Sequence, residues 1–285
     1  AEIEYKEHQS KTIWVKFPLT SNNLDNCSIV IWTTTPWTIP SNRAVAYNKE
    51  ISYCLYEVIE TESECWLSKG ELLILAEKLA SECFSQARVL NAKKIKSFQF
   101  EDFSNFKIKH PFADLHGSDE FWNYDVPIID SSIVTEETGT GFVHMAPSHG
   151  AEDYEEFLKR GWLDKLTHNV KEDSSFVKIM PIFGGLEIFN KKGKEGKANE
   201  VVIQKLIEVN GLMARGRLTH SYPHSWRSKA PLIFRNTKQW FVSIDKDISN
   251  RDNSIHKSTY GNTIRERALK SIDELVSWFP KSGRN

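Results

Sequence analysis

Two strings of this chain hold residue types whose order could do chemistry. The first is Ile31-Trp32-Thr33-Thr34-Thr35-Pro36-Trp37-Thr38-Ile39-Pro40-Ser41-Asn42-Arg43. Its β-branched start suits a strand, and Pro36 cannot continue a ladder, so the strand breaks with hydroxyls at its tip. Such a tip offers donors and acceptors for a water or a polar ligand atom. A Thr-rich strand end with no further role explains the same residues.

The second string runs from Thr138 through Gly139, Gly141, His144, His149 and Asp153 to Tyr154. Two glycines two apart let backbone approach backbone or ligand closely, and a short strand then carries His144 toward a turn and a helix start. His144, His149 and Asp153 could share one pocket. The His-x4-His spacing invites a metal, yet Pro147 and Gly150 break the helix that would put both rings on one face, and no metal site is expected. A satisfied histidine and an aspartate placed on a helix dipole are the competing, purely structural explanation.

The elements that must carry these strings read as mainly β. Lys11 to Leu19, Ser28 to Thr35, Ile51 to Ile59 and Glu64 to Ser68 are strand-like, with turn clusters at Ser21-Asn22-Asn23 and Pro40-Ser41-Asn42. Helices are expected over Gly70 to Ser81, with Leu72, Leu75, Ala76 and Leu79 as a stripe, and over Ala151 to Arg160, Glu195 to Val209 and Thr263 to Ser277. A composition shift near residue 215 suggests domains at 1–215 and 216–285. The 285 residues are 40% hydrophobic and 26% charged, which excludes low-complexity and mostly disordered chains. No apolar run is long enough for a membrane span, and the charged start is unlike a signal peptide, so a cytoplasmic location is expected. Lys plus Arg is 37 against 38 Asp plus Glu, so any nucleic-acid contact must be local. Cys27, Cys54, Cys65 and Cys83 have neither zinc-pair nor disulfide-scaffold spacing and read as buried thiols.

Taken together, the strings resemble the editing domain inserted in isoleucyl-tRNA synthetases. The resemblance rests on Thr33-Thr-Thr-Pro-Trp-Thr38 with Asn42-Arg-Ala, on Gly139-Thr-Gly-x-Val-His144 through Asp153-Tyr154, and on His220-Ser-Tyr-Pro-His-Ser-Trp-Arg227 with Gln239-Trp-Phe241. It covers nearly the whole chain. Valyl and leucyl relatives carry Thr-Thr-Arg-Pro-Glu/Asp-Thr at the first string, so Thr35 and Trp37 mark the isoleucyl type.

The resemblance implies a closed β-barrel with peripheral helices, followed by a connector returning toward a catalytic domain absent from this stretch. It implies hydrolysis of valyl-tRNA(Ile) by water attack, with valyl-adenylate as a second candidate substrate. The partners would be the tRNA(Ile) 3′ end and the rest of the parent synthetase. One methylene is worth only about 1–3 kcal/mol in a pocket, a general limit for which this discrimination is the standard illustration, so a second, smaller site is needed. By motif, Asp153 would bind the α-ammonium, and His144, Trp37 and Thr38 would wall the side-chain pocket. Thr33, Thr34, Thr35 and Asn42 would hold the terminal adenosine and the water; His144 as general base competes. A non-catalytic module binding the tRNA acceptor end is the alternative. Editing would need no cofactor. ATP and magnesium belong to the parent enzyme, whose His-x-Gly-His and Lys-Met-Ser-Lys-Ser motifs are missing here, which points to an excised fragment. Met145 departs from many relatives and would alter the pocket edge. Ser225 and Ser228 stand where some relatives hold zinc ligands. Lys93, Lys94, Lys96, Lys107 and Lys109 form either a phosphate contact or a solvated face.

Overall fold

A computed structural model describes residues 3–20, 24, 26–118, 120–248 and 260–284; the Ser21-Asn22-Asn23 turn expected from sequence lies outside them. The strands are β1 (Ile3–Pro18), β2 (Cys27–Thr33), β3 (Ala44–Tyr47), β4 (Tyr53–Thr61), β5 (Leu72–Ala76), β6 (Val89–Phe98), β7 (Ile108–Lys109), β8 (Asp125–Val126), β9 (Ile128–Asp130), β10 (Val143–Met145) and β11 (Leu212–Ser225). The helices are α1 (Ala80–Gln86), α2 (Ala151–Lys159), α3 (Ala198–Glu208) and α4 (Ile264–Glu274). Two compact units divide after Asn236. The boundary expected after residue 215 falls inside β11, which pairs along almost its full length with β1.

In the first unit, one six-stranded sheet has the order β11-β1-β2-β5-β4-β6, with β2 and β5 parallel and the other neighbours antiparallel. A three-stranded sheet β10-β3-β9 carries the second motif, and β7 pairs with β8. The fold is mainly β with peripheral helices, as expected, but neither larger sheet is closed into a barrel among the described residues. The six-stranded sheet ends at β11 and β6, and β6 shows most of its residues to solvent in place of a further strand.

The central strands explain themselves by composition. β2 runs Cys-Ser-Ile-Val-Ile-Trp-Thr, and Ile29, Val30 and Ile31 are fully buried because both faces of the strand are covered. The helix expected over Gly70 to Ser81 is a strand followed by a turn and α1. Leu72 to Ala76 is a five-residue apolar run, a length at which helix and strand patterns coincide, and its place between β2 and β4 settles it as strand. Glu64 to Ser68 forms turns and irregular backbone, and the strand expected at Lys11 begins eight residues earlier because the polar half of β1 pairs with β11.

An aromatic core lies behind the sheet: Tyr53 packs against Phe142 at 4.6 Å and Phe103 at 5.1 Å, and Tyr47 stacks on Phe103 at 4.7 Å. A smaller core of Ala44, Ala46, Ile129, Val134, Met145 and Phe157 fixes α2 against the three-stranded sheet. The Lys16–Glu71 ion pair is buried on both sides: Lys16 Nζ lies 2.7 Å from Glu71 Oε2 and 3.1 Å from Asn210 Oδ1, while Glu71 Oε1 accepts the Ser68 N–H. The second unit contains α4, started by a capping box in which Thr263 Oγ1 accepts the Glu266 N–H and the Glu266 carboxylate accepts the Thr263 N–H. No residue of α4 is buried, so its apolar residues Ile264 and Leu269 are exposed. Among the described residues no helix is long and apolar enough to cross a membrane.

Candidate functional site

The break expected at Pro36 is where β2 ends. After Thr33 the chain enters a 3₁₀ turn, Pro36–Ser41, with a proline at its start and every residue buried. Thr35 N–H bonds to Thr33 Oγ1 at 3.1 Å, and the Thr38 hydroxyl closes the turn on Thr35 O at 2.8 Å. Thr35 Oγ1 lies 3.2 Å from both Thr33 Oγ1 and Thr38 Oγ1. Three hydroxyls of the first string therefore form one connected group.

β10 brings the second string to that group. His144 Nε2 is 3.0 Å from Thr38 Oγ1, and its Nδ1 is 2.7 Å from Asn42 Nδ2. Burial pushes the His144 imidazole down to about 3, and the nearby His149 adds to the effect, so the ring is neutral at physiological pH. Both ring nitrogens are engaged, which leaves no free lone pair and argues against His144 as general base.

Gly141 sits at positive φ, and a Cβ there would lie 2.3 Å from Ala76 Cβ; only glycine lets this loop reach β5, where Ala76 N–H bonds to Thr140 O. Beside this approach is a cavity of about 280 Å³ whose lining includes Trp32, Thr33, Thr34, Val134, Phe142 and His144, together with Thr135, Thr138, Gly139 and Gly141. It is smaller than most drug-sized pockets, which run from about 300 to 1,000 Å³. On the other side of the threonine tip, a hollow of about 60 Å³ is bordered by Thr34, Thr35, Trp37, Asn199, Tyr222 and His8. The tip is a wall between two spaces.

The expected site residues thus divide. Thr33, Thr34 and His144 line the larger cavity; Thr35 and Trp37 face the smaller hollow; Thr38 and Asn42 are behind them as buried links. Trp37 is 4% exposed, with its ring 4.8 Å from that of His149 and its backbone N–H donated to Asn199 Oδ1. Asn42 is fully buried and its NH₂ faces both Ala44 O and His144, while its Oδ1 is buried without a hydrogen-bond partner among the described residues; it lines neither space. Asp153 does not line either space. Its Oδ2 accepts the Ala146 N–H at 2.8 Å, bracing the loop between β10 and α2, and the other oxygen has no partner among the described residues. Burial raises its carboxyl to about 6 despite that bond. Met145 is not at the pocket edge: strand alternation turns it away from His144 into the small core, where it is fully buried. His149 stands apart from His144, held by Phe234 O and Ser41 Oγ, and burial lowers its ring to about 4. Among the described residues no group of three or more His, Cys, Asp or Glu side chains is arranged to hold a metal ion.

Sequence reasoning missed the inward link from Asn42 through His144 to Thr38, because nothing in residue order tells which polar side chains face each other across two elements. It also missed Val134 and Phe142 as cavity walls, although Phe142 sits between Gly141 and Val143 in a string already singled out.

No family model matches the chain. Over its whole length it is 49% identical to an isoleucine–tRNA ligase of Ruegeria pomeroyi and 44% identical to that of Bradyrhizobium diazoefficiens, covering 29% of each. Among solved structures, similarity extends to the cytosolic leucyl-tRNA synthetase editing domain of P. knowlesi, at 10% identity and a TM-score of 0.48, over 74% of this chain and 97% of that one. The corresponding domain of P. falciparum gives 10% identity and a TM-score of 0.47, over 71% and 98%. The chain spans under a third of the length of the curated relatives it matches. With that identity sustained over every residue, the chain belongs to the isoleucine–tRNA ligase family and corresponds to one segment of its members.

Proposed function

We propose that this segment is the editing module of its ligase, hydrolysing the ester of valyl-tRNA(Ile), with valyl-adenylate as a second substrate. The observation that carries the reading is a small cavity that sets Trp32, Val134 and Phe142 beside Thr33, Thr34 and His144, with Thr33 joined through Thr35 and Thr38 to His144 by hydroxyl contacts behind the wall. The apolar part of this cavity of about 280 Å³, Trp32, Val134 and Phe142, suits a short aliphatic side chain. Hydroxyls at its mouth suit the ester, the ribose and a water. The chemistry is direct attack by water, since His144 has no spare lone pair and no Ser/His/Asp triad is assembled around the cavity.

Asp153 is assigned to the α-ammonium. That assignment comes from the motif resemblance; Asp153 lines neither space, and what supports the role is its second carboxylate oxygen, unpaired among the described residues and so available to an ammonium. Thr33 and Thr34 face the reacting end, and His144 forms the wall against a longer side chain. The reaction needs no cofactor. The partners are the tRNA(Ile) 3′ end and the rest of the ligase, in the cytoplasm where aminoacylation serves protein synthesis.

The test is to incubate the purified chain with valyl-tRNA(Ile) and, separately, isoleucyl-tRNA(Ile), and to follow ester loss against the spontaneous rate. Faster loss of valine alone is expected, and Asp153→Ala removes it while the far-UV spectrum stays unchanged. Binding of the tRNA end with no hydrolysis would replace the reading with a non-catalytic acceptor-binding module. Equal loss of both esters would overturn His144 as the size filter.

A further inference from the structure

Asn42 lies one residue beyond the 3₁₀ turn and has no surface, yet its amide makes two well-formed bonds, 2.8 Å to Ala44 O and 2.7 Å to His144 Nδ1. The Ala44 carbonyl can only accept, so the group facing it is the NH₂, and Asn42 has its amide orientation fixed by backbone. The second hydrogen of the same NH₂ then points at His144 Nδ1, which must be the bare nitrogen. The proton of the neutral ring is on Nε2 and is donated to Thr38 Oγ1 at 3.0 Å.

Donor counting carries the direction outward. The single Thr38 hydroxyl hydrogen goes to Thr35 O at 2.8 Å, so the 3.2 Å contact between Thr35 and Thr38 is filled by the hydrogen of Thr35. The contact between Thr33 and Thr35 is then filled by the hydrogen of Thr33. Thr33 Oγ1, which also accepts the Thr35 N–H, is left with one lone pair at the cavity.

We propose that Asn42 is a positioning residue that sets the polarity of this hydroxyl chain through the tautomer of His144, so that the chain ends at the cavity as an acceptor on Thr33. For the reaction, the inference rests on the function proposed above. An acceptor at that point takes a hydrogen from the attacking water, raising electron density on its oxygen and leaving both lone pairs unengaged, one of them for the ester carbon; a donor there would occupy one lone pair and withdraw density from the nucleophile. It also selects ligand groups that donate, such as a ribose hydroxyl. The neutral state of His144, enforced by burial, is a condition for the arrangement, because an imidazolium could not accept from Asn42.

The tautomer can be read without substrate. In the ¹⁵N-histidine-labelled full chain, long-range ¹H–¹⁵N correlations distinguish a bare ring nitrogen from a protonated one, and the His144 signals are those missing from His144→Gln. The expected result is a bare Nδ1 and a protonated Nε2 from about pH 5 upward. Asn42→Asp, which replaces a donor by an acceptor, is expected to move the proton to Nδ1. The same variant is expected to lower kcat for valyl-tRNA(Ile) hydrolysis by about 100-fold, the usual scale for losing one preorganised group, with KM little changed. A wild-type ring protonated on Nδ1 overturns the proposal even if Asn42→Asp fails to fold. So does an Asn42→Asp chain that inverts the tautomer and keeps the wild-type rate. Absence of hydrolysis by the wild type overturns the function proposed above and leaves the tautomer measurement to decide whether Asn42 orients the chain.

Discussion

Gly141→Ala puts the closest backbone approach of the site under direct test. The new Cβ would lie 2.3 Å from Ala76 Cβ, 3.2 Å from Tyr53 Cε1 and 3.3 Å from Ala76 Cα, so at least one neighbour must move. Two costs add. A residue with a side chain at this positive φ loses about 1–2 kcal/mol relative to glycine. Overpacking against β5, a central strand with no room behind it, costs about 1–3 kcal/mol more. Urea denaturation of the variant is therefore expected to show a loss of about 2–5 kcal/mol at unchanged m-value. Gly139→Ala is the control: its φ is also positive, but the nearest atoms, both of Trp32, are 3.6 and 3.7 Å from the new Cβ, so only the backbone cost of about 1–2 kcal/mol applies. Adding Ala76→Gly to Gly141→Ala removes the worst contact, and the double-mutant cycle should show favourable coupling of about 1–3 kcal/mol. Equal losses for the two glycines, or a cycle with no coupling, would refute the steric account of this loop.

Three further outcomes are expected. Glu71→Gln strands the Lys16 ammonium in the interior and should cost about 3–5 kcal/mol by urea denaturation, whereas the paired change Lys16→Met with Glu71→Leu should recover most of it. Asp153 has its folded pKa raised from 3.8 to about 6, so its contribution to stability is fully present below about pH 4 and is lost as pH rises through 6; measured against Asp153→Asn, the wild type should gain up to about 3 kcal/mol between pH 7 and pH 4. Cys27 and Cys83 are buried with thiols pushed up to about 12, and Cys54 is fully buried, so these three should not react with a thiol reagent at neutral pH until the chain is unfolded.

What residue order made legible was local. The end of β2 at the Thr-Pro junction, the helix after Gly150 and the capped α4 follow from proline, dipole and capping chemistry acting over a few residues. Leu72 to Ala76 failed because five apolar residues satisfy both periods, and only the neighbouring strands select one. Gly141 was legible as a close approach, while the identity of what it approaches, Ala76 some 65 positions earlier in sequence, was not. Asn42 was singled out through the motif resemblance, while its burial and the two contacts of its NH₂ to Ala44 O and His144 were not legible in residue order. The Lys16–Glu71 pair gave no signal, since a lysine in an expected strand and a glutamate 55 positions later, at the start of an expected helix, carry no mark of being paired.

The pairing of β1 with β11 places Ile3 opposite Ser225 and His8 opposite His220, so the first unit's sequence enters and leaves along two adjacent strands. Tension applied to those two strands from the Ile3 and Ser225 end would peel them apart one residue pair at a time, which needs far less force than sliding them past one another. The outer half of β1 is largely exposed and has little packing to resist that peeling, whereas from Ser10 to Phe17 almost every residue is buried and β2 lies on the far side. Peeling would meet the buried stretch at Ser10, before Trp14 and Val15, although His8 and Tyr222 on the hollow beside Thr34 and Thr35 would already have parted. Under such tension the exposed half of the ribbon would yield first, and the buried half next to the threonine tip last.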